Sequence, residues 1–164
     1  MCHLWRLIPM ELNNAICNTP GVKGICPTGW YIPTDPEWTT LTAFLGGISV
    51  AGGKMKSTGT IEAGTGLWYA PNTGATNESG FTAIPGGDLN DSKTFGSMGM
   101  HGRWWSSSED GPFSAWIRII NPAASEVSRG SINKLFGYSL RCVRNFWAPW
   151  EHSNEGRTPF KLGS

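Results

Sequence analysis

The stretch from Gly102 to Arg144, GRWWSSSEDGPFSAWIRIINPAASEVSRGSINKLFGYSLRCVR, constrains the fold of this chain more than any other segment. Large anchors (Trp104, Trp105, Trp116, Arg118, Val127, Arg129, Gly137, Arg141, Cys142) alternate there with runs of small, unrelated residues. Successive side chains of a strand point to opposite faces, so anchors at this spacing predict a packed sheet whose intervening residues face outward. Short strands are expected over Arg103–Ser107, Ala115–Asn121, Glu126–Arg129 and Tyr138–Arg144. An outward face that tolerates almost any side chain suits binding. The segment lacks the convergent acids, bases and nucleophiles of an enzyme.

The length of 164 residues fits one domain with a core of its own. Its expected extent is residues 1–145; residues 146–164 change character and form a polar C-terminal extension carrying Trp147 and Trp150. A net charge of +1 leaves no electrostatic footprint for nucleic acid or an anionic membrane. No apolar run is long enough to span a bilayer, so membrane insertion is not expected. The opening MCHLWRLIPMELNN also lacks the pattern of a signal peptide. Export is then expected to be handled elsewhere, as in a phage particle or a larger exported chain, or the segment has been trimmed. With 22 Gly, 11 Pro and 15% charged residues, the chain reads as loop-rich α+β or β.

The firmest local element starts at Thr34. Thr34-Asp35-Pro36-Glu37 is a capping box with Pro in the first turn. Trp38, Leu41, Phe44 and Leu45 follow at helical spacing before Gly46-Gly47, predicting a helix over 35–45. A short helix is also expected over Met10–Ile16. Gly47–Gly99 reads as a long loop; such loops are functional or pinned by special contacts.

Four segments resemble the Fibrobacter succinogenes major paralogous domain. They are Gly24–Asp35 with Glu37-Trp38, Asn77–Gly87, Trp104–Glu109 and Gly137–Arg144, in order over residues 13–145. The resemblance implies a C-type lectin-like fold of the branch shared with formylglycine-generating enzymes: a small twisted antiparallel sheet, two helices and long loops forming a binding face. It also implies a bacterial or phage origin and an extracellular, cell-surface or phage-particle location. This chain departs from the pattern at Asp88-Leu89-Asn90 and in the extension after Asn145. In that fold the terminal strands lie together, which implies a Cys26–Cys142 disulfide. Cys2 and Cys17 are left either paired or free.

The chain also resembles the variable proteins of diversity-generating retroelements, in which template adenines are randomised. An Asn codon ending in C then yields many residues but never Lys, Glu, Gln, Met or Trp. The expected ligand-binding positions obey that rule: Arg103, Asp110, Phe113, Ile117, Ile119, Asn121, Pro122, Ser128, Gly130, Ser131, Ile132, Leu135 and Phe136. Glu109, Trp116, Glu126 and Lys134 fall on positions read as fixed. Ile117 and Ile119 share one strand face, expected to be solvent-facing, with Trp116 and Arg118 on the other. In the opposing reading Ile119, Ile120 and Phe136 are core residues of an ordinary, unvaried paralogue.

Cofactor and catalytic motifs are weak. His3, His101 and His152 are scattered and no cysteine pair has zinc-ligand spacing. Asp88, Asn90, Asp91 and Glu109 offer hard oxygens suited to Ca²⁺, yet the Glu-Pro-Asn and Trp-Asn-Asp patterns of sugar-binding lectins are absent. No cofactor is therefore assigned, and Ca²⁺ stays open. Formylglycine-generating relatives use two active-site cysteines near the domain end, where this chain has only Cys142. Ser106, Ser107 and Ser108 have only His101 nearby as a base. Lys54 after Gly52-Gly53 does not complete a phosphate loop. The expected function is non-enzymatic: a variable surface binding a protein or glycan on a cell surface. The alternatives are a structural surface paralogue without a ligand and a degenerate formylglycine-generating-type oxidase.

Overall fold

The computed structural model describes residues 8–9 and 25–145. The helix expected over Met10–Ile16, Cys2, Cys17, His3, His152 and the extension 146–164 lie outside the described residues. Within them the fold is α+β, with two helices and three small antiparallel sheets. No helix among the described residues is long and apolar enough to cross a membrane.

Helix α1 (Asp35–Phe44) forms where its capping box stands. The Thr34 hydroxyl accepts from the Glu37 amide, and the Glu37 carboxylate accepts from the Thr34 amide at 2.7 Å. Leu45 caps the C-terminus, and Gly46 and Gly47 leave the helix at φ of 101° and 96°, a region costly for other residues. Helix α2 (Ile48–Met55) lies inside the segment expected to be loop. Its Gly52 and Gly53 read as helix breakers, but they serve packing. A Cβ on Gly52 would sit 2.2 Å from the Glu126 carbonyl oxygen, and one on Gly53 2.4 Å from that of Gly74.

The main sheet has the order β5 (Gly102–Glu109), β6 (Ser114–Ile120) and β7 (Ser128–Asn133). Registers run Arg103↔Ile119↔Ser128 and Trp105↔Ile117↔Gly130. β7 begins later than expected because the Val127 amide donates to Ile48 of α2 rather than to the sheet. The closing segment, expected as one strand, is two. β8 (Gly137–Tyr138) sits between β1 (Ile8–Pro9) and β3 (Asp88–Leu89), with β4 (Phe95–Gly96) beyond. β9 (Val143–Arg144) pairs with β2 (Trp30–Tyr31). Between them Arg141 turns away to donate to the Phe81 carbonyl at 2.5 Å, its guanidinium stacked 4.1 Å from the Phe81 ring. The β2–β9 pairing brings Cys26 to Cys142, which form a disulfide with Cα atoms 5.9 Å apart.

Trp104 and Trp105 are both buried, on opposite faces of β5. Trp104 joins Trp38, Leu45, Met55, Trp68 and Ile120 beneath the helices. Trp105 joins Ala115, Ile117 and Tyr138 on the other side. Both indoles are therefore covered, and neither is available to stack on a sugar. The segment between α2 and β3 is pinned rather than free. Trp68 is fully buried and donates to Ala83, and the Asn72 amide donates to the Ser57 and Gly59 carbonyls. Lys56 is 0% exposed, with its ammonium held by the Asn121 and Ala124 carbonyls.

Candidate ligand-binding face

Two faces of the β5–β7 sheet have different chemistry. On the helix side Arg118 is 3% exposed and donates to Asp35 Oδ1 at 2.6 Å and to the Asp35 carbonyl at 3.0 Å. Arg129 donates to both Asp35 oxygens and stacks 3.3 Å from the Trp116 ring centroid. Burial alone pushes the Asp35 carboxyl up, but its bonds to Arg129 and Arg118 hold it below the usual carboxylate value. This side is a clamp, and its anchors were legible in the sequence.

The opposite side carries Arg103, Ile119, Ser128, Gly130, Ile132 and Phe136. All six are half-buried, so each presents part of its surface. Ile117 corrects the expectation: it is 3% exposed. Its row, Trp105–Ile117–Gly130, is roofed by Tyr138, whose ring lies 5.0 Å from Trp105 and 6.1 Å from Phe136. Ile117 therefore belongs to the floor of the face. Ile119 and Ile132 pack against that floor and remain partly open. Strand alternation in the sequence finds which residues share a face, but not that β8 covers one end of it.

The turn residues cluster at one end of the sheet. Lys134 is buried and ties this end together: its amide donates to the Phe113 carbonyl, and its ammonium reaches Glu109 at 2.5 Å and the Pro112 carbonyl. Phe113 is 72% exposed, Leu135 and Asp110 are exposed too, and Phe136 lies beside them. Three predicted positions stand apart. Ser131 faces the other way, opposite Trp116. Asn121 and Pro122 sit at the far end, where their carbonyls hold Lys56 and the Thr73 amide.

Sequence reasoning missed two contributors to this face, Asp88 and Tyr138. Arg103 forms an ion pair with Asp88 and lies 5.6 Å from the Tyr138 ring centroid. Burial raises the Tyr138 pKa, so its ring stays neutral over the Trp105–Ile117–Gly130 row. The departure from the family pattern at Asp88 was the available signal. The same contacts bear on Ca²⁺: Asp88 is taken by Arg103, Glu109 by Lys134, and Asn90 Oδ1 by the Thr94 amide. Among the described residues no group of three acidic, His or Cys side chains could hold a metal ion. Lys54 lies in α2 and pairs with Glu78 at 2.9 Å. Ser106 is buried, and its hydroxyl serves the Ser108 backbone within β5.

Together, the disulfide, the Arg141–Phe81 contact and the bond from the Trp38 indole to the Trp105 carbonyl tie the four sequence segments into one frame. A family model described as the Fibrobacter succinogenes major domain matches residues 13–144. The chain belongs to this family. No curated protein and no solved structure matches it. In this member of the family, one concavity lies between α1 and the β2–β9 pair, and another is lined by Ile61, Leu67, Phe95 and Met98.

Proposed function

We propose that the chain is a non-enzymatic ligand-binding domain of C-type lectin-like fold, displayed outside the cell or on a phage particle. Its recognition surface is the β5–β7 face with the adjoining turns, and its partner is a protein or glycan on a cell surface. The supporting observation is the division of labour across one sheet. Asp35, Arg118, Arg129 and Trp104 fix the helix side. Arg103, Ile119, Ser128, Gly130, Ile132 and Phe136 lie half-open on the other, with Asp110, Phe113 and Leu135 exposed at its end.

A rigid frame lowers the entropy lost on association. A half-open face that mixes apolar and charged side chains suits a macromolecular partner. Positions open on this face are also those compatible with adenine-directed randomisation, which supports the variable-protein reading of a diversity-generating retroelement. Ile117 is withdrawn from the contact set and kept in the supporting floor.

The test is a screen of the purified domain on protein and glycan arrays, beside a variant carrying Phe113→Ser, Ile119→Thr, Ile132→Thr and Leu135→Ser. The proposal expects a binder that the folded variant loses. Equal binding by both proteins would move the site off this face.

A further inference from the structure

A groove of about 530 Å³ runs between α1 and the β2–β9 pair. Trp38, Leu41 and Phe81 form its floor, and Trp30, Arg141 and Arg144 stand at its sides. The volume lies in the range of true ligand sites, roughly 300–1,000 Å³. Trp30, an indole beside this apolar floor, is left 38% exposed.

The chain leaves the described residues at the mouth of this groove. Arg144 pairs with Trp30, and the Asn145 amide donates to the Gly29 carbonyl at 2.8 Å. The next residues are Phe146-Trp147-Ala148-Pro149-Trp150-Glu151. Three aromatics in five residues follow directly on a strand that forms the groove wall.

We propose that Phe146–Trp150 docks into this groove of its own chain, against Trp38, Leu41 and Phe81. Reach is sufficient: five extended residues span about 17 Å. Tethering at Asn145 makes docking intramolecular, at an effective concentration on the order of millimolar. A proline at 149 narrows the conformations open to the free segment, so it has less freedom to lose. Aromatic-lined grooves take such segments by side-chain insertion. The inference does not depend on the ligand role of the β5–β7 face, which lies on other strands.

The experiment is hydrogen exchange on the full chain, compared with a Phe146→Ser/Trp147→Ser/Trp150→Ser variant. Peptides covering Trp30–Leu41 and Arg141–Arg144 should exchange about tenfold faster in the variant, on the scale of local opening. The β5–β7 peptides should be unchanged, and protection in the native chain should be independent of protein concentration. Groove peptides that exchange equally in both proteins would overturn the proposal. So would protection that grows with concentration, which would assign the groove to a second copy. If the triple variant loses β5–β7 protection, Trp30→Ser decides instead. Amides of 147–150 (excepting Pro149) should then exchange about tenfold faster than in the native chain, and equal rates would overturn the proposal.

Discussion

Asp35 and Arg118 stand 83 residues apart in sequence and meet at 2.6 Å beneath the sheet. Arg129 completes the clamp on the second carboxylate oxygen at 2.9 Å. The N-terminus of α1 is thereby bolted to the two strands whose other face carries the proposed contacts. Asp35→Asn leaves the buried Arg118 guanidinium without its counter-charge. The expected loss is about 3–5 kcal/mol in urea unfolding at neutral pH, as for a broken buried pair. The folded carboxyl titrates below its unfolded counterpart. Its contribution is therefore complete above the unfolded pKa and lost as pH falls through the folded one. The native chain should lose stability on acidification more steeply than the Asn variant.

Lys56 gives the opposite end of the pH scale. Burial lowers its pKa to about 8. Between that value and the unfolded lysine pKa, the unfolded chain binds more protons, so stability rises with pH. From pH 7.5 to 9.5 the gain should approach about 2 kcal/mol, at about 1.4 kcal/mol per unit. Lys56→Met should abolish the rise. Equal slopes for both proteins in denaturant titrations would remove Lys56 as the cause.

Gly52→Ala separates helix propensity from packing. In an open helix this change stabilises by about 1 kcal/mol. Here the new Cβ meets the Glu126 carbonyl at 2.2 Å, so the change should destabilise by about 1–3 kcal/mol, as overpacking does. Gly130→Ala is the contrast. Its Cβ would find Ile119 at 3.5 Å and Ile117 at 3.6 Å, ordinary contacts. Thermal unfolding should be unchanged or shifted upward by the equivalent of about 0.4–1 kcal/mol.

The Cys26–Cys142 bond closes a span of 116 residues. Chain-entropy arguments give about 4–5 kcal/mol for a loop of that length. A Cys26→Ala/Cys142→Ala variant should show that loss in chemical unfolding, and reductant should lower the native chain to nearly the same midpoint.

Much of this was written in the sequence where one residue reports directly on geometry. Thr34, Pro36 and Glu37 mark the start of α1 because each satisfies a backbone need of the first turn. Alternation sets Trp116 and Arg118 on the face opposite Ile117 and Ile119, and β6 has them so. What alternation cannot supply is what lies above a face. Ile117 is buried because Tyr138, twenty-one residues on, roofs its row. Helix α2 was hidden for a similar reason: Gly52 and Gly53 are breakers in isolation and close-packing residues against 74 and 125–126. The burial of Lys56 was hidden too, because the Asn121 and Ala124 carbonyls that hold its ammonium lie 65 and 68 residues away in sequence.

The central claim is that the open side of the β5–β7 sheet can change while the frame stays folded. Urea unfolding of the Asp110→Ser/Phe113→Ser/Ser128→Ala/Leu135→Ser variant tests it most directly, with Ile117→Ala as the floor control. The account predicts a loss within about 0.5 kcal/mol per site for the exposed set, against about 2–4 kcal/mol for Ile117→Ala. A combined variant as unstable as the floor mutant would show that these positions hold the fold together, and would contradict the account.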